Sequence, residues 1–532
     1  MARIGLAAFI LVMCALDVAW IRQNTAPPRM FDDSAFLIES VDLFRTLQEE
    51  GVGAFLTGTT IYSRRGHPPM MKTLPTFTYL FLGLGTNAAL YAYTVLIAVF
   101  CVYLFLLARQ LLDSDAKALL AVVITCLFPI IYGMWRQVMT EFGVTVAVTG
   151  CLYHVLRSQG FRHSGHSLAV GAFVGWGLLW KITFPIFVVG AIALVLRSQR
   201  EWPIRGLILA LFAALVVAGP FYARSWFPVL AFAIYQGNPD YQRVWGLGPV
   251  YSPLTVARYW LLVVNWAITP YFFALMVLAS GVRRWRGQTS RVTRDTPFLL
   301  AAFVPAFLLM TFHPLKEVRH LMPALPLLGI AAARLVVDLV APFRRVAPLA
   351  LAALLLWPAY QFASWSFDSP LVPRAELRWG PIMLSTRDLE AQSTKWMPTF
   401  TFPANSTYWP TRKTVETMAT RLSSSGERAR VHVAGTNPYF NGLTLRYEAT
   451  LARLPFAFDF PFTDDYIGAD FVVISLASRR YGALDERPTP AESAMNRGDF
   501  PFTLVATLPL EDGGEVRVYE ANRRVHPTAA GG

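Results

Sequence analysis

Charge is scarce in this chain: Asp, Glu, Lys and Arg make up 15% of its 532 residues, against 55% that are hydrophobic. A soluble enzyme of this length does not carry that balance. Cysteine is nearly absent as well. The four present, Cys14, Cys101, Cys126 and Cys151, each lie in an apolar stretch and none has CxxC spacing. They read as small core residues and support neither a zinc site nor a disulfide framework. No Walker loop, GxGxxG, HExxH or GxSxG occurs in a credible context, so nucleotide-driven chemistry is not indicated. Nor does any internal repeat of about 20 to 50 residues appear.

What is present is a series of long apolar runs separated by short basic loops, with a mean hydropathy of +0.42. That pattern defines a polytopic α-helical membrane protein with a smaller polar tail. The net charge is +13, from 47 Lys and Arg against 34 Asp and Glu. In a soluble protein this excess would raise nucleic-acid binding. Here no basic run interleaves with aromatics as a binding groove requires, so no nucleic-acid partner is expected. Cytoplasmic loops that collect Lys and Arg account for the excess instead.

The first apolar stretch, 4–20, contains Asp17 and has no A-x-A site, which favours a retained span over a cleaved signal peptide. Further apolar segments cover 88–107, 118–133, 143–156, 168–180, 182–196, 204–222, 259–280, 298–312, 321–339 and 347–362. Together they predict about eleven spans, several short for a bilayer near 30 Å, and the pair flanking Lys181 could also be one long helix. An inside N-terminus makes one alternate set of connections cytoplasmic, and every short loop of that set is basic. They carry Arg109 with Lys117, Arg157 with Arg162, Arg197 with Arg200 and Arg205, the run from Arg283 to Arg294, and Arg344 with Arg345. The positive-inside rule therefore predicts a cytoplasmic N-terminus and an extracytoplasmic C-terminus, in a bacterial inner or plasma membrane.

The expected organisation is a membrane domain over 1–365 with outside loops 22–74 and 223–258, then a soluble extracytoplasmic domain over 366–526 and a disordered end, 527–532. The soluble part has strand-length apolar runs at 431–434, 471–475 and 502–508. A hairpin signal at Asp512-Gly513-Gly514 and a helix over 438–451 following Gly435 make it a small α/β domain. Asn405-Ser406-Thr407 is a glycosylation acceptor pattern, of a kind common by chance.

Candidate site residues gather in the outside segments. Asp32 and Asp33 follow the first span by about a dozen residues. Adjacent acids repel, which raises one pKa and suits a general base. They equally suit a cation site or the N-cap of a helix over 34–49. The loop ends in Arg64-Arg65-Gly66-His67-Pro68-Pro69, whose prolines fix His67 at the head of the next apolar segment, with Lys72 just beyond. Glu141, in Arg136-Gln137-Val138-Met139-Thr140-Glu141, sits where a span begins, and Lys181 lies between two apolar segments. Ionisable groups at the bilayer need a partner or a watery cavity and are functional candidates by default, although a lysine can also snorkel to the interface. Lys316 and Arg319 are three apart, so on a helix they would share one face able to hold a phosphate.

Taken together, these features resemble the GT-C membrane glycosyltransferases, glycosyltransferase family 39 in particular, the protein O-mannosyltransferase and lipid A aminoarabinose transferase type. The matching residues are Asp32-Asp33, His67-Pro68-Pro69, Arg136 to Glu141, Gly177 to Thr183 and Lys316 to Pro326, over roughly residues 1 to 340. The resemblance implies a GT-C fold, a polyprenyl-phosphate-linked sugar donor, inverting transfer to an extracytoplasmic acceptor, and a cell-envelope role. By its terms Asp32 is the general base and Asp33 orients it or helps bind a cation. Glu141 is the second acidic position, and Arg136, Lys316 and Arg319 offset charge on the departing lipid phosphate, with His67, Lys72 and Lys181 binding substrate nearby. Phe36 stands where many relatives have Tyr, and the C-terminal domain is unlike the β-trefoil of eukaryotic mannosyltransferases. No cofactor is required by this reading, yet Asp32, Asp33 and Glu141 also fit a Mg²⁺ or Mn²⁺ site. The rival reading is a secondary transporter or lipid flippase, in which intramembrane charges line a pathway near the midplane.

Overall fold

In the computed structural model, the residues described are 1–29, 31–61, 67–236, 238, 248–287, 295–343, 345–367, 376–379, 382–385, 401–422, 428–434, 439–459, 466–476, 489–511 and 513–522. Arg64, Arg65, Gly66, Arg291, Arg294, Arg344, Gly435, Pro438, Asp512, most of 237–247 and the end 527–532 lie outside them.

Among the described residues six helical stretches are long and apolar enough to cross a membrane: Ala2–Gln23, Thr86–Leu112, Ile204–Tyr235, Pro253–Trp285, Val318–Phe343 and Ala347–Phe367, with a shorter apolar helix at Thr296–Phe312. The protein is an integral membrane protein. The remaining apolar runs form shorter pieces. The predicted span 118–133 is split into Asp115–Cys126 and Pro129–Met134, since Pro129 lacks the N–H that would continue the helix.

The helices up to Tyr235 are α1 (Ala2–Gln23), α2 (Phe31–Glu49), α3 (Gly51–Thr59), α4 (Met70–Leu82), α5 (Thr86–Leu112), α6 (Asp115–Cys126), α7 (Pro129–Met134), α8 (Thr140–Arg157), α9 (Ser164–Trp180), α10 (Val189–Arg197) and α11 (Ile204–Tyr235). Helix α8 is the buried axis of the bundle, with every residue from Thr140 to Leu152 inside. It is apolar or small on all sides, as an encased helix must be. Helices α9 and α11 pack closely because Gly171 and Gly175 sit one turn apart on the contact. A Cβ on Gly171 would lie 1.9 Å from the Ala210 carbonyl oxygen. Small residues of this kind let helix backbones approach where no hydrophobic driving force operates.

The two segments flanking Lys181 are separate. Helix α9 ends at Trp180, Lys181 is extended, and a 3₁₀ turn over Phe184–Phe187 precedes α10. A second break interrupts the stretch Pro253–Trp285, whose middle, Val263–Ile268, is a π segment ending on Thr269 at φ 72°.

The polar tail forms the expected small α/β domain. Strands β3 (Ala429–Ala434), β4 (Phe456–Phe458), β5 (Phe471–Leu476), β6 (Phe502–Pro509) and β7 (Glu515–Ala521) follow the hairpin pair β1 (Glu376–Trp379) and β2 (Ile382–Ser385). The five-stranded sheet has the order β4-β3-β5-β7-β6. Strand β3 runs parallel to β4 and β5, while β7 is antiparallel to β5 and β6. The β6–β7 hairpin falls at the predicted turn, where Gly513 adopts φ 84°. The expected helix is Gly442–Leu451, capped by the Asn441 side chain. This helix packs on α2: Arg45 donates to the Leu451 carbonyl at 3.2 Å and Arg453 pairs with Glu49 at 2.7 Å.

Candidate active site

Helix α2 begins at Phe31, so Asp32 and Asp33 occupy its first turn, where the helix's partial positive charge favours acids. They have different environments. Asp33 is buried, and its Oδ1 accepts a hydrogen bond from the Val138 N–H at 2.9 Å. Its oxygen is thus spent on a distant loop, which corrects the N-cap reading. Asp32 faces outward with 27% of its side chain exposed, and its Oδ2 lies 3.3 Å from Arg319 Nη2.

Glu141 and Lys181 meet because α8 and α9 are antiparallel neighbours. Glu141 is in the first turn of α8 and Lys181 caps the C-terminus of α9, so both charges also suit their helix ends. Lys181 Nζ is 2.8 Å from Glu141 Oε1. A glycine makes that approach possible: the Trp180 ring lies where a Cβ on Gly143 would stand, at 2.2 Å.

Arg319 completes the cluster from a 3₁₀ turn, Val318–Ala324, leading into the helix Leu325–Val340. Its Nε bonds Glu317 and lies 3.8 Å from Glu141 Oε1. His320 Nε2 stands 3.9 Å from Glu141 and 3.8 Å from Glu317. A continuous alternation of charge therefore runs Asp32, Arg319, Glu141, Lys181 across four chain segments. Of the predicted residues, these four are brought together, with Asp33 next to Asp32 on α2 and His67 near enough to feel all four charges. Glu317 and His320 lie within the stretch Lys316 to Pro326 but nothing in the sequence singles them out, beyond the place of Glu317 two residues before Arg319.

His67 edges onto Phe36 at 5.4 Å and Phe232 at 5.1 Å between ring centroids. Burial pushes its imidazole down to about 4, with the Asp32 charge opposing, so His67 is neutral at pH 7. Lys72 is buried in α4 and donates to the Ile61 carbonyl at 3.0 Å.

Two predicted phosphate ligands are placed otherwise. Lys316 precedes the 3₁₀ turn instead of sharing a helix face with Arg319. Its ammonium donates to the carbonyls of Thr311 at 2.7 Å and His313 at 3.1 Å, closing the end of the helix Asp295–Phe312. Pro314 disfavours helical backbone at His313 and so prevents a continuous helix there. Arg136 is enclosed elsewhere, with Asp17 at 3.6 Å and Ser366 at 2.8 Å.

The three acids offered for a divalent cation do not form one donor set. Asp33 is bonded to Val138, Asp32 is beside Arg319, and Glu141 is beside Lys181 and Arg319. Among the described residues no group of three or more His, Cys, Asp or Glu side chains could hold a metal ion.

Burial pushes the Asp33 carboxyl up to about 7, against the pull of the Val138 N–H, with the neighbouring Asp32 charge adding to the rise. The raised pKa thus belongs to the inward acid, and burial outweighs repulsion as its cause. Stability from protonated Asp33 is fully present below the ordinary value near 4 and is lost as pH rises through about 7. Asp33→Asn keeps an oxygen for Val138 and cannot ionise. Its melting temperature relative to the unsubstituted protein is expected to rise steadily between pH 5 and 8. A variant that instead loses ground over that range would mean that the carboxylate is the stabilised form.

Known proteins bear on this geometry in two ways. A family model described as dolichyl-phosphate-mannose-protein mannosyltransferase matches residues 66–223, a stretch holding His67, Lys72, Arg136, Glu141 and Lys181. No curated protein sequence matches. Among solved structures, ArnT from Cupriavidus metallidurans bound to undecaprenyl phosphate superposes with a TM-score of 0.55 at 12% identity, over 98% of this chain and 99% of that one. The same protein in the apo state gives 0.53 at 13% identity, over 99% and 100% of the two chains. An Archaeoglobus fulgidus oligosaccharyltransferase tethered with an acceptor peptide gives 0.50 at 11%, over 99% of this chain and 75% of that one. The fold of the whole chain is therefore that of the GT-C membrane glycosyltransferases, with likeness to the mannosyltransferase family model confined to residues 66–223.

Proposed function

We propose that the protein is an inverting glycosyltransferase that moves a sugar from a polyprenyl-phosphate carrier to a hydroxyl of an extracytoplasmic glycan, lipid or protein. The observation that carries this is the contact between Asp32 and Arg319, an outward carboxylate beside a cation that also touches Glu141. Lys181 extends the cationic side. Support also comes from the similar ArnT structure, bound to undecaprenyl phosphate.

The chemistry follows from the charges. Asp32 takes the proton of the acceptor hydroxyl, and the oxygen attacks the anomeric carbon as the bond to the carrier phosphate breaks. The bonding pair goes to the phosphate oxygen, and the lipid phosphate leaves as an anion. Arg319 and Lys181 stabilise that anion with groups already fixed in place, which costs no reorganisation during the reaction. Engagement of Arg319 by the phosphate also weakens its hold on Asp32, so donor binding readies the base. A lipid donor presents its phosphate at headgroup depth with its chain in the bilayer, which a cluster at the helix ends can meet.

The orientation we assign puts this cluster outside. Arg3 and Arg109 both lie beside Asp115, at 4.0 and 2.5 Å, so the start of α1 shares the basic end of the bundle with the α5–α6 connection. That end is cytoplasmic under the positive-inside rule, and the C-terminal domain is extracytoplasmic. Charges gathered at one end do not line a path through the midplane, as a transporter would need.

The test is transfer from mannosyl, arabinosyl, glucosyl and galactosyl polyprenyl phosphates by purified protein in lipid, with an envelope lipid extract as acceptor. Turnover of one donor is expected and names the sugar as hexose or pentose. Binding of every donor without release of lipid phosphate overturns the reading.

A further inference from the structure

Arg136, expected to meet the donor phosphate, is instead buried under aromatic rings. Its guanidinium is covered by three rings, Trp20 at 5.1 Å, Phe362 at 5.4 Å and Tyr132 at 5.5 Å from the ring centroids. Asp17 Oδ1 is 3.6 Å from its Nε, and its Nη1 donates to Ser366 Oγ at 2.8 Å. Asp17 in turn accepts from Thr94 Oγ1 at 2.6 Å. Both charges are almost wholly buried, Asp17 at 1% and Arg136 at 3% exposure. None of these contacts is with Asp32, Glu141, Lys181 or Arg319.

Two residues beyond Arg136 the chain turns to the active site. Val138 N–H holds Asp33, Met139 accepts the Tyr93 hydroxyl through its carbonyl at 3.0 Å, and the Met139 sulfur lies 3.9 Å from Arg319 Nη1. The stretch 136–139 is thus fixed at one end by the Asp17–Arg136 pair and at the other grips the base-bearing helix and the cationic side chain. The same cluster reaches the C-terminal segment, since the Ser366 carbonyl accepts from Ala404 N–H at 2.9 Å and Trp20 edges onto Phe402 at 5.7 Å.

We infer that Asp17 and Arg136 form a buttress that positions Asp32 and Arg319 through the stretch 136–139, and that Arg136 does not bind the donor phosphate. A buried pair of this kind is costly to break from one side and cheap to remove whole, because one partner alone is left as an unpaired buried charge. Misplacement of catalytic groups by about 1 Å costs on the order of 10²-fold in rate. The inference rests on the proposed transferase activity for its kinetics, and on the structure alone for its second readout.

The experiment compares Arg136→Met, Asp17→Asn and the double variant in the full-length protein in lipid. Donor turnover is read as kcat and KM, and amide hydrogen exchange is read on peptides covering 31–40 and 135–141 without any donor. Arg136→Met is expected to lower kcat about 10²-fold with an unchanged donor KM, and to raise exchange in both peptides together. The double variant is expected to regain most of the kcat and the protection. A raised KM with unchanged exchange makes Arg136 a donor ligand and overturns the buttress, as does a double variant no better than Arg136→Met. If the unsubstituted protein transfers no sugar from any donor while the exchange pattern holds, the transferase reading falls and the buttress stands.

Discussion

Asp32→Asn is expected to remove donor turnover while leaving the fold and donor binding in place. The side chain is partly open and its neighbour Arg319 retains Glu317 and Glu141, so the neutral amide strands no buried charge. What it loses is the ability to take a proton. General-base catalysis contributes about 10²- to 10⁴-fold, so kcat falls by at least that range while donor affinity is kept or rises, Arg319 being freed for the phosphate. Asp33→Asn provides the contrast, since its oxygen serves Val138 and does not face the open side. Single-turnover assays with radiolabelled donor, paired with melting curves in detergent, separate loss of chemistry from loss of structure. Turnover of Asp32→Asn within a few-fold of the unsubstituted protein would remove Asp32 as the base.

The bundle was readable from the sequence to the extent that hydropathy is local. Long apolar runs predicted α1, α5 and α11, and strand-length apolar runs with a turn signal predicted β3, β5 and the β6–β7 hairpin, because each depends on a few consecutive residues. The pair α6 and α7 reads as one span because Pro129 interrupts it without changing the mean hydropathy, whereas the break at Lys181 is visible as a charge between two apolar runs. The site was legible as a set of outside charges and only partly as geometry. Asp32, Glu141, Lys181 and Arg319 converge, since charges at the membrane face must find opposite partners. Lys316 and Arg136 did not join them. A buried cation can be satisfied by carbonyls at a helix end or by aromatic faces and a carboxylate from another span, and sequence spacing does not say which. Asp17 counted in the sequence only against a cleaved signal peptide; that an acid in an apolar helix needs a partner was available there, but nothing local named Arg136.

Arg319→Lys carries the second large effect, and it separates charge from shape. The guanidinium serves three acids with two nitrogens, Nη2 toward Asp32 and Nε toward Glu317 and Glu141. A lysine keeps the charge, but its single ammonium on a flexible stem cannot hold that fork. It is expected to settle on one acid, leaving Asp32 loosely placed and the leaving phosphate with one fixed donor fewer. Loss of one such donor costs about 10²- to 10³-fold in kcat, and here donor KM should rise as well because the phosphate contact is made in the bound state too. Arg319→Met is the harsher change, since it takes the guanidinium from Asp32, Glu317 and Glu141 at once. Breaking a buried pair from one side costs about 3–5 kcal/mol, so that variant is expected to lose stability together with turnover, which mixes the two effects. The conservative variant is therefore the informative one. Measured as kcat and donor KM alongside Lys181→Arg, it assigns the departing charge: a kcat unchanged in Arg319→Lys would put the phosphate on Lys181 alone, and a fall confined to Arg319→Lys puts it on the residue that also grips the base.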